Sequence, residues 1–412
     1  MFHYHQHQLL PDLPHIEYVE DQIIVDAGDS GTLSGEIVVG SGQTITVGAA
    51  ATTSQGTVEA LKVYDMFKPP SGGTNQRPAG KPGALFYNFD FKTIEFFDGN
   101  SWKQVDNTTR SGRAITGGGL SPGNTAYPHV DLITIPTLGN AVRFGELHTE
   151  RTSHGACSSS TRGIFLGGNP DNDATEYYTL ASGGNGIDFG NLTSTGRRYT
   201  SSFSSSTRGF SAGGKDDPAV TNEIDYCEIS TLNSWLDFGD LTVAALYWSG
   251  LSSPTRGFTL VADDPAAQTI NMVTMASKGD AIDFGNQSKT GGYQAAAANS
   301  VRGLWAGGYS STPRQNDGLS SSIESITMAS QGTTQYFGDL ASASSIYSDG
   351  SSTSTRAVFS IGKVGTTSSS MVNNIDYVTI ASSGSASDFG DMTFPVAYRG
   401  MTSDSHGGLG GF

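Results

Sequence analysis

Thr207-Arg208-Gly209-Phe210-Ser211-Ala212-Gly213-Gly214 is the stretch that decides the fold, because the chain repeats it. Variants start at Arg162, Arg256, Arg302 and Arg356, a looser copy runs from Arg113 to Gly118-Gly119, and a last one puts His406 in place of Arg and ends at Gly411. A second phrase follows each copy. Its fullest form is Asn374-Ile375-Asp376-Tyr377-Val378-Thr379-Ile380-Ala381-Ser382, with relatives at Val130–Ile135, Ile224–Ile229 and Ile323–Met328. A third phrase, Phe-Gly, recurs at Phe144, Phe189, Phe238, Phe284, Phe337 and Phe389, with spacings of 45, 49, 46, 53 and 52 residues. Repeats of about 40–50 residues made of short strands are the length of one β-propeller blade.

The local chemistry agrees with strands. The segments are short, rich in Ser, Thr, Val, Ile and Tyr, and cut by Gly and Asn-Asp-Pro clusters, whereas helical repeats of this length need continuous stripes of period 3.6. A β-solenoid has shorter coils. The expected fold is therefore all-β, with a six-bladed β-propeller over residues 109–412. The Arg phrase outnumbers the Phe-Gly phrase by one, so residues from about 393 onward are expected to close the ring against the first blade. Counting alone does not say which strand does so.

Composition sets the limits. The chain has 412 residues, 54 of them Gly, only 15% charged, with 23 Lys+Arg against 39 Asp+Glu and a net charge of −16. A phosphate backbone needs a basic face, so nucleic acid is excluded as a partner. No apolar run reaches the length of a membrane-spanning helix, and residues 1–20 lack the apolar core of a secretory signal. Two cysteines, Cys157 and Cys227, make no disulfide framework.

The recurring residues have structural readings. Gly-Gly pairs suit strands crowded at a propeller axis. The repeated arginines, Arg113, Arg162, Arg208, Arg256, Arg302 and Arg356, need partners when partly buried. Five of the six second phrases supply an acid, Asp131, Glu176, Asp225, Glu324 and Asp376, and Asn271 breaks the series. An Arg–carboxylate pair or an Arg–carbonyl clamp between strands fits; a ring of charge lining a ligand channel is the functional alternative. Asp-Phe-Gly at Asp188, Asp237, Asp283 and Asp388 lacks the phosphate loop of a kinase. It reads as a strand-to-turn corner, with Phe packing between blades and Asp capping the turn.

Residues 1–108 lack the repeat. Residues 1–60 contain short Gly-interrupted alternations, marginal unless wrapped with sister chains. Residues 61–108 hold a Pro/Gly-rich linker and a small β-meander turning at Asp98-Gly99. His3, His5 and His7 alternate, so on a strand they share one face and suit a transition metal stacked from several chains, or else belong to a polar docking arm.

The phrases Ser-Thr-Arg-Gly…Gly-Gly, Ile-Asp-Tyr-Val-Thr-Ile-Ala-Ser and Asp-Phe-Gly-Asp-Leu/Met-Thr, the ending Ser403–Phe412 and the segment Gly83–Trp102 resemble bacteriophage structural proteins, above all cyanophage proteins with kelch-like propellers. The resemblance covers about residues 83–412. It implies a virion appendage, foremost a tail fibre, made in the host cytoplasm. It implies a homotrimer whose small N-terminal β-rich attachment region, 1–60, holds other virion proteins. The distal propeller would meet a host cell-surface glycan or protein, with no cofactor, no membrane insertion and no catalysis. A capsid or neck fibre without a receptor role and a glycan-cutting tailspike are the alternatives.

Candidate binding residues lie where the blade lengths vary, between the first and second phrases: Asp171 and Asp173, Asp216 and Asp217, Asp263 and Asp264, and Tyr309, Arg314 and Asp317. Irregular loops on a rigid scaffold are where recognition is usually placed. Paired carboxylates there could cut a glycan or hold Ca²⁺, but solvated loop acids are the commoner case. A second aromatic set, Tyr247, Trp248, Tyr293 and Tyr347, precedes the Thr-Arg-Gly strands and is expected in the core between blades.

Overall fold

In the computed structural model the described residues are 16–19, 22–25, 69–90, 93–97, 99, 102–104, 112–170, 173–194, 196–216, 218–244, 246, 249–260, 268–288, 291–310, 319–341, 349–365, 367 and 370–410. No α-helix occurs among them. The chain divides into two compact units, Met1–Pro70 and Ser71–Phe412. In the first, strands Ile16–Val19 and Gln22–Val25 pair antiparallel. The second begins with a four-stranded sheet. In it Leu85–Asn88, Thr93–Phe97 and Trp102–Gln104 form an antiparallel meander, with Gly99 at φ 102° between the last two. Ser71–Gly72 joins it in parallel. Beneath it Glu95 is buried and takes Arg77 at 2.6 Å and the Asn88 amide at 3.1 Å.

The repeats form six four-stranded antiparallel sheets. Blade I joins Gly400–Ser403 to Arg113–Gly117, His129–Thr134 and Val142–Glu146. Blade II is Gly155–Ser158, Arg162–Leu166, Ala174–Thr179 and Ile187–Asn191; blade III is Ser201–Ser204, Arg208–Ala212, Glu223–Glu228 and Leu236–Asp240. Blade IV is Gly250–Ser252, Arg256–Leu260, Thr269–Thr274 and Ile282–Asn286. Blade V is Ala295–Ala298, Arg302–Ala306, Ser322–Thr327 and Gln335–Asp339, and blade VI is Asp349–Ser352, Arg356–Ser360, Asn374–Thr379 and Ser387–Asp391.

Packing orders the blades in a cycle. The first strand of each blade neighbours the first strand of the next, and Gly400–Ser403 neighbours both Asp349–Ser352 and Gly155–Ser158. Six apolar clusters each join two consecutive blades, and one of them joins blade VI to blade I through Phe389, Met392, Ile133 and Ala141. Each Phe of the Phe-Gly phrase sits in such a cluster, 8% exposed or less. Burying one such ring contributes about 1.5–3 kcal/mol.

The innermost strands are poor in large residues for a geometric reason. They read Gly-Ala-Cys-Ser, Ser-Ser-Phe-Ser, Gly-Leu-Ser, Ala-Ala-Ala-Ala, Asp-Gly-Ser-Ser and Gly-Met-Thr-Ser. A Cβ on Gly350 would meet the Ala296 carbonyl oxygen of the next strand at 2.7 Å. The last residue of each strand forms a ring about the axis. Ser158 donates to the carbonyl of Ser403 at 2.7 Å, Ser204 to Ser158 at 2.8 Å and Ser252 to Ser204 at 2.8 Å. Ser352 donates to Ala298 at 2.6 Å and Ser403 to Ser352 at 2.7 Å. Ala298 is the gap, and Gly407 packs there against the Ser252 and Asn299 carbonyls.

Closure is made by a split hairpin. In blades II to VI the residue after that ring position accepts from the repeated Arg amide: Ser159 at 3.1 Å, Ser205 at 3.0 Å, Ser253 at 3.2 Å, Asn299 at 2.8 Å and Thr353 at 3.2 Å. In blade I Asp404 does this for Arg113 at 3.0 Å, from 291 positions away.

Three expectations are corrected. The Gly-Gly pairs lie at the end of the second strand, not on the axis. Both glycines of a pair have positive φ, as at Gly167 (63°) and Gly168 (111°); Gly167 abuts Arg197 on the segment leading to the next blade, and Gly168 abuts Arg151 and Thr152 on the segment entering its own. The need is for a left-handed turn as much as for close approach. The copy that starts at His406 is no strand. Gly407–Leu409 is a 3-10 turn beside the innermost strands of blades III, IV and V. The Asp-Phe-Gly phrase is not a corner either. It lies within the outermost strand, opposite a bulge in the third strand, and its Gly packs on the turn of the following blade, as Gly190 does against Asn233.

Candidate functional site

The repeated arginines begin each second strand and reach backbone carbonyls just past the third strand of the next blade. Arg113 donates to Ala181 at 2.9 Å, Arg162 to Ile229 at 2.9 Å and Arg208 to Met275 at 3.1 Å. Arg256 donates to Met328 at 3.1 Å, Arg302 to Ile380 at 2.7 Å and Arg356 to Ile135 at 2.7 Å, which crosses from blade VI to blade I. Of the two structural partners read from the sequence, the carbonyl is the one these side chains reach in every blade. Arg162 and Arg356 also lie over Tyr177 and Tyr377, each 4.8 Å from the ring centre.

The carboxylates of the second phrase serve another junction. They take the segment that leaves the preceding blade: Thr193 Oγ1 donates to Asp225 at 2.8 Å and Thr393 Oγ1 to Asp131 at 2.7 Å. The backbone amides of His148 and Thr149 donate to Glu176 at 3.1 Å. Thr242 Oγ1 donates to the Asn271 side-chain oxygen at 2.6 Å. An amide oxygen accepts from a hydroxyl as a carboxylate does, so Asn271 fits the series. Three of these acids pair with arginines that the repeat search passed over: Arg151 with Glu176 at 3.2 Å, Arg197 with Asp225 at 3.1 Å and Arg399 with Asp131 at 3.9 Å. All three lie on the segments between blades.

Strand direction gives the molecule two different faces. One carries the tight turns between first and second strands and between third and fourth strands. The other carries the segments between blades together with the connections of uneven length between second and third strands. The Gly168 amide ties the two kinds of segment by donating to Arg197 at 2.8 Å. On this second face the axis opens into a cavity of about 80 Å³. Its walls are the innermost strands of the six blades, and His406 and Gly407 border it as well. His406 Nε2 lies 3.2 Å from the Ser158 carbonyl and 3.1 Å from Ser204 Oγ, while Nδ1 accepts from the Gly408 amide at 3.1 Å.

Three groups set the electrostatics of this cavity. Burial, reinforced by the Arg151 guanidinium, holds the His154 imidazole well below its ordinary pKa, so it is neutral. Burial pushes the Asp349 carboxyl up to about 8, against the pull of the Gly350 and Met401 amides, so it is protonated at neutral pH. Burial lowers Arg399 to about 10, and its side chain donates to the Phe394 and Val396 carbonyls at 2.6 and 3.2 Å. Both ring nitrogens of His154, and Ser202 Oγ, are buried without a hydrogen-bond partner among the described residues.

The mouth has a repeated backbone feature. Ser153, Tyr199, Tyr293 and Tyr398 border the cavity with φ of 55°, 56°, 63° and 63°, each five positions before its ring residue. Non-glycine residues rarely take this conformation. Tyr293, expected in the core between blades, is thus a half-buried cavity residue. Tyr247 and Tyr347 hold the same register in sequence and, with Trp248, lie outside the described residues. Tyr199, Tyr398, His154, Asp349 and Arg399 escaped the sequence reading. Counting back from the ring serine instead of the Arg would have found the tyrosines.

Of the loop candidates, Asp173 and Asp216 are half-buried. The Asp173 carbonyl accepts from Leu192 N at 2.8 Å, and Asp216 pairs through its backbone with Arg197 and Ala219. Strand Tyr309–Ser310 pairs with Gly291–Gly292. Asp171, Asp217, Asp263, Asp264, Arg314 and Asp317, and likewise His3, His5 and His7, lie outside the described residues. Among the described residues no group of three metal-ligating side chains comes together, and no helix is long and apolar enough to cross a membrane. Cys157 and Cys227 are both buried thiols flanking Gly209, and burial raises Cys157 to about 12. No protein-family model and no curated protein matches the chain.

Proposed function

We propose that this chain is a structural protein of a bacteriophage virion, a tail fibre whose propeller meets the host cell surface. One observation carries the reading. The connections of uneven length and the open end of the axial cavity share one face, while the opposite face is a set of near-identical turns and clamps. A scaffold that holds one face constant and varies the other is organised for recognition. The repeat phrases and the Gly83–Trp102 segment, similar to those of phage structural proteins, supply the virion context. In this reading residues 1–60 attach to the particle and assemble three chains, and the propeller binds without turnover.

The test is antibody raised against residues 109–412, applied to intact particles and imaged by electron microscopy. Label on tail appendages, with purified chain competing for adsorption, is the expected result. Label on the head would replace the reading with a capsid fibre, and unlabelled particles would overturn it.

A further inference from the structure

One junction between blades departs from the other five. Five positions after the Phe of each Phe-Gly phrase the chain has Thr149, Ser194, Val243, Lys289 and Ser342, but Phe394 where blade VI leads into blade I. Two positions before the third strand it has Asn172, Thr221, Ala267, Ser320 and Val372, but Tyr127 in blade I, where His129 opens that strand. These departures meet. The Phe394 and Tyr127 rings are tilted by only 10° with centres 5.6 Å apart, and the His129 ring stands edge-on to Tyr127 at 4.8 Å. His129 Nδ1 lies 3.5 Å from Glu146 Oε1, and the same oxygen lies 3.5 Å from Arg143 Nη2. The result is a row on the face of the uneven connections: two aromatic rings, an imidazole, then a carboxylate beside a guanidinium. Core packing does not account for it. Phe394 is 45% exposed, and the Arg143 and Glu146 side chains are each about half exposed. The row is nevertheless fixed. Arg399 donates to the Phe394 carbonyl at 2.6 Å, and Thr393 Oγ1, which is bonded to Asp131, lies 3.1 Å from the Tyr127 hydroxyl. The Tyr127 amide donates to the Gly119 carbonyl at 2.9 Å, and the Leu147 amide to the Pro128 carbonyl at 2.8 Å. An aromatic face left open on a tied backbone is organised in advance for a ligand.

We propose that this row binds a pyranose saccharide, with one sugar ring lying on Phe394 and Tyr127 and the hydroxyls of the next reaching Glu146 and Arg143. The inference rests on the host-surface reading and names the chemistry of that contact. The groups on offer select the class. An open aromatic ring takes the C–H face of a pyranose. A carboxylate only accepts and a guanidinium only donates, so side by side they suit a sugar hydroxyl, which does both. A simple anion meets Glu146 as a like charge, and a simple cation meets Arg143 in the same way. A proline-rich segment also docks on aromatic rings, but its imino residues bring no N–H for the carboxylate. The site depends on the closed ring, since blade VI supplies Phe394 through the segment that enters blade I, and blade I supplies the rest.

The experiment uses the full chain, titrated with maltose, lactose, cellobiose, diacetylchitobiose and a ten-proline peptide by saturation-transfer NMR and calorimetry. At least one sugar is expected to bind saturably. Phe394→Leu keeps an apolar side chain but loses the flat face, and should weaken binding on the order of tenfold with the melting temperature retained. Phe394→Tyr keeps the face and should keep the affinity. Glu146→Ala should weaken binding by a similar factor. The inference is overturned if no sugar binds, if Phe394→Leu binds as well as Phe394→Tyr, or if the proline peptide binds better than every sugar. Fluorescent wild type and Phe394→Leu that stain host cells equally, with no sugar bound, overturn this inference and leave the host-surface reading standing. Sugar binding that depends on Phe394, by a chain that stains no cell, does the reverse.

Discussion

At the scale of single residues, two positions on the axis make measurable predictions. Asp349 is protonated in the folded chain up to about pH 8 and ionised in the unfolded chain above about pH 4. Between those limits the unfolded state binds fewer protons, so stability falls as pH rises. The slope from this group is at most about 1.4 kcal/mol per pH unit. Urea unfolding from pH 4 to 8 should show a steeper decline for the wild type than for Asp349→Asn. Asp131, raised by its own burial, adds to the slope in both proteins. Equal slopes would mean Asp349 is ionised in the folded chain. Ser352→Ala removes the donor to the Ala298 carbonyl and leaves that buried oxygen unpaired, at a cost of about 1–3 kcal/mol by denaturant unfolding. The ring of serines was hidden in the sequence, because Ser-Ser-Ser-Thr reads as a generic turn until each hydroxyl is seen to find the neighbouring strand.

At the scale of elements, the junction between blades is the unit that recurs, and each part of it has its own expected cost. Arg256→Ala loses the bonds to the Met328 and Ala329 carbonyls, and with the side chain half exposed the cost should be about 1 kcal/mol. Phe284→Ala opens a cavity in the cluster shared by blades IV and V and should cost about 3–5 kcal/mol. Thermal melts of the two variants should keep that order; the reverse order would mean that the clamps, not the clusters, hold neighbouring blades together. Strand-forming phrases and their period were legible because each phrase keeps its residue types: Arg to clamp, an acid or Asn to staple, Phe to fill. The assignment of partners was not legible. Arg recurs in every blade and an acid in five of the six, which suggested one pair, but they sit at different heights, and three of the acids use Arg151, Arg197 and Arg399, which recur too irregularly to be noticed. The Gly-Gly pairs misled in a related way, since a left-handed turn and a crowded axis both select glycine.

At the scale of the whole molecule, Gly400–Ser403 completes the ring, supplying the first strand of blade I, the Ser403 acceptor for Ser158 and the Asp404 cap for Arg113. Removing residues 400–412 should leave Arg113–Gly117 as a bare edge and convert a cooperative melt, followed by the fluorescence of the buried Trp305, into a broad one with aggregation. A sharp transition in the shortened chain would show that five blades and a remnant suffice. The same split hairpin bears on how the protein is made. Until Gly400–Ser403 has left the ribosome, blade I has no first strand, and Gly155–Ser158 of blade II lacks one of its neighbours. A message cut short between Asp391 and Gly400 therefore releases a chain with all six Phe-Gly phrases present and no finished fold. Proofreading of length is built into the topology: only a polypeptide translated through Asp404 can put away its own sticky edge.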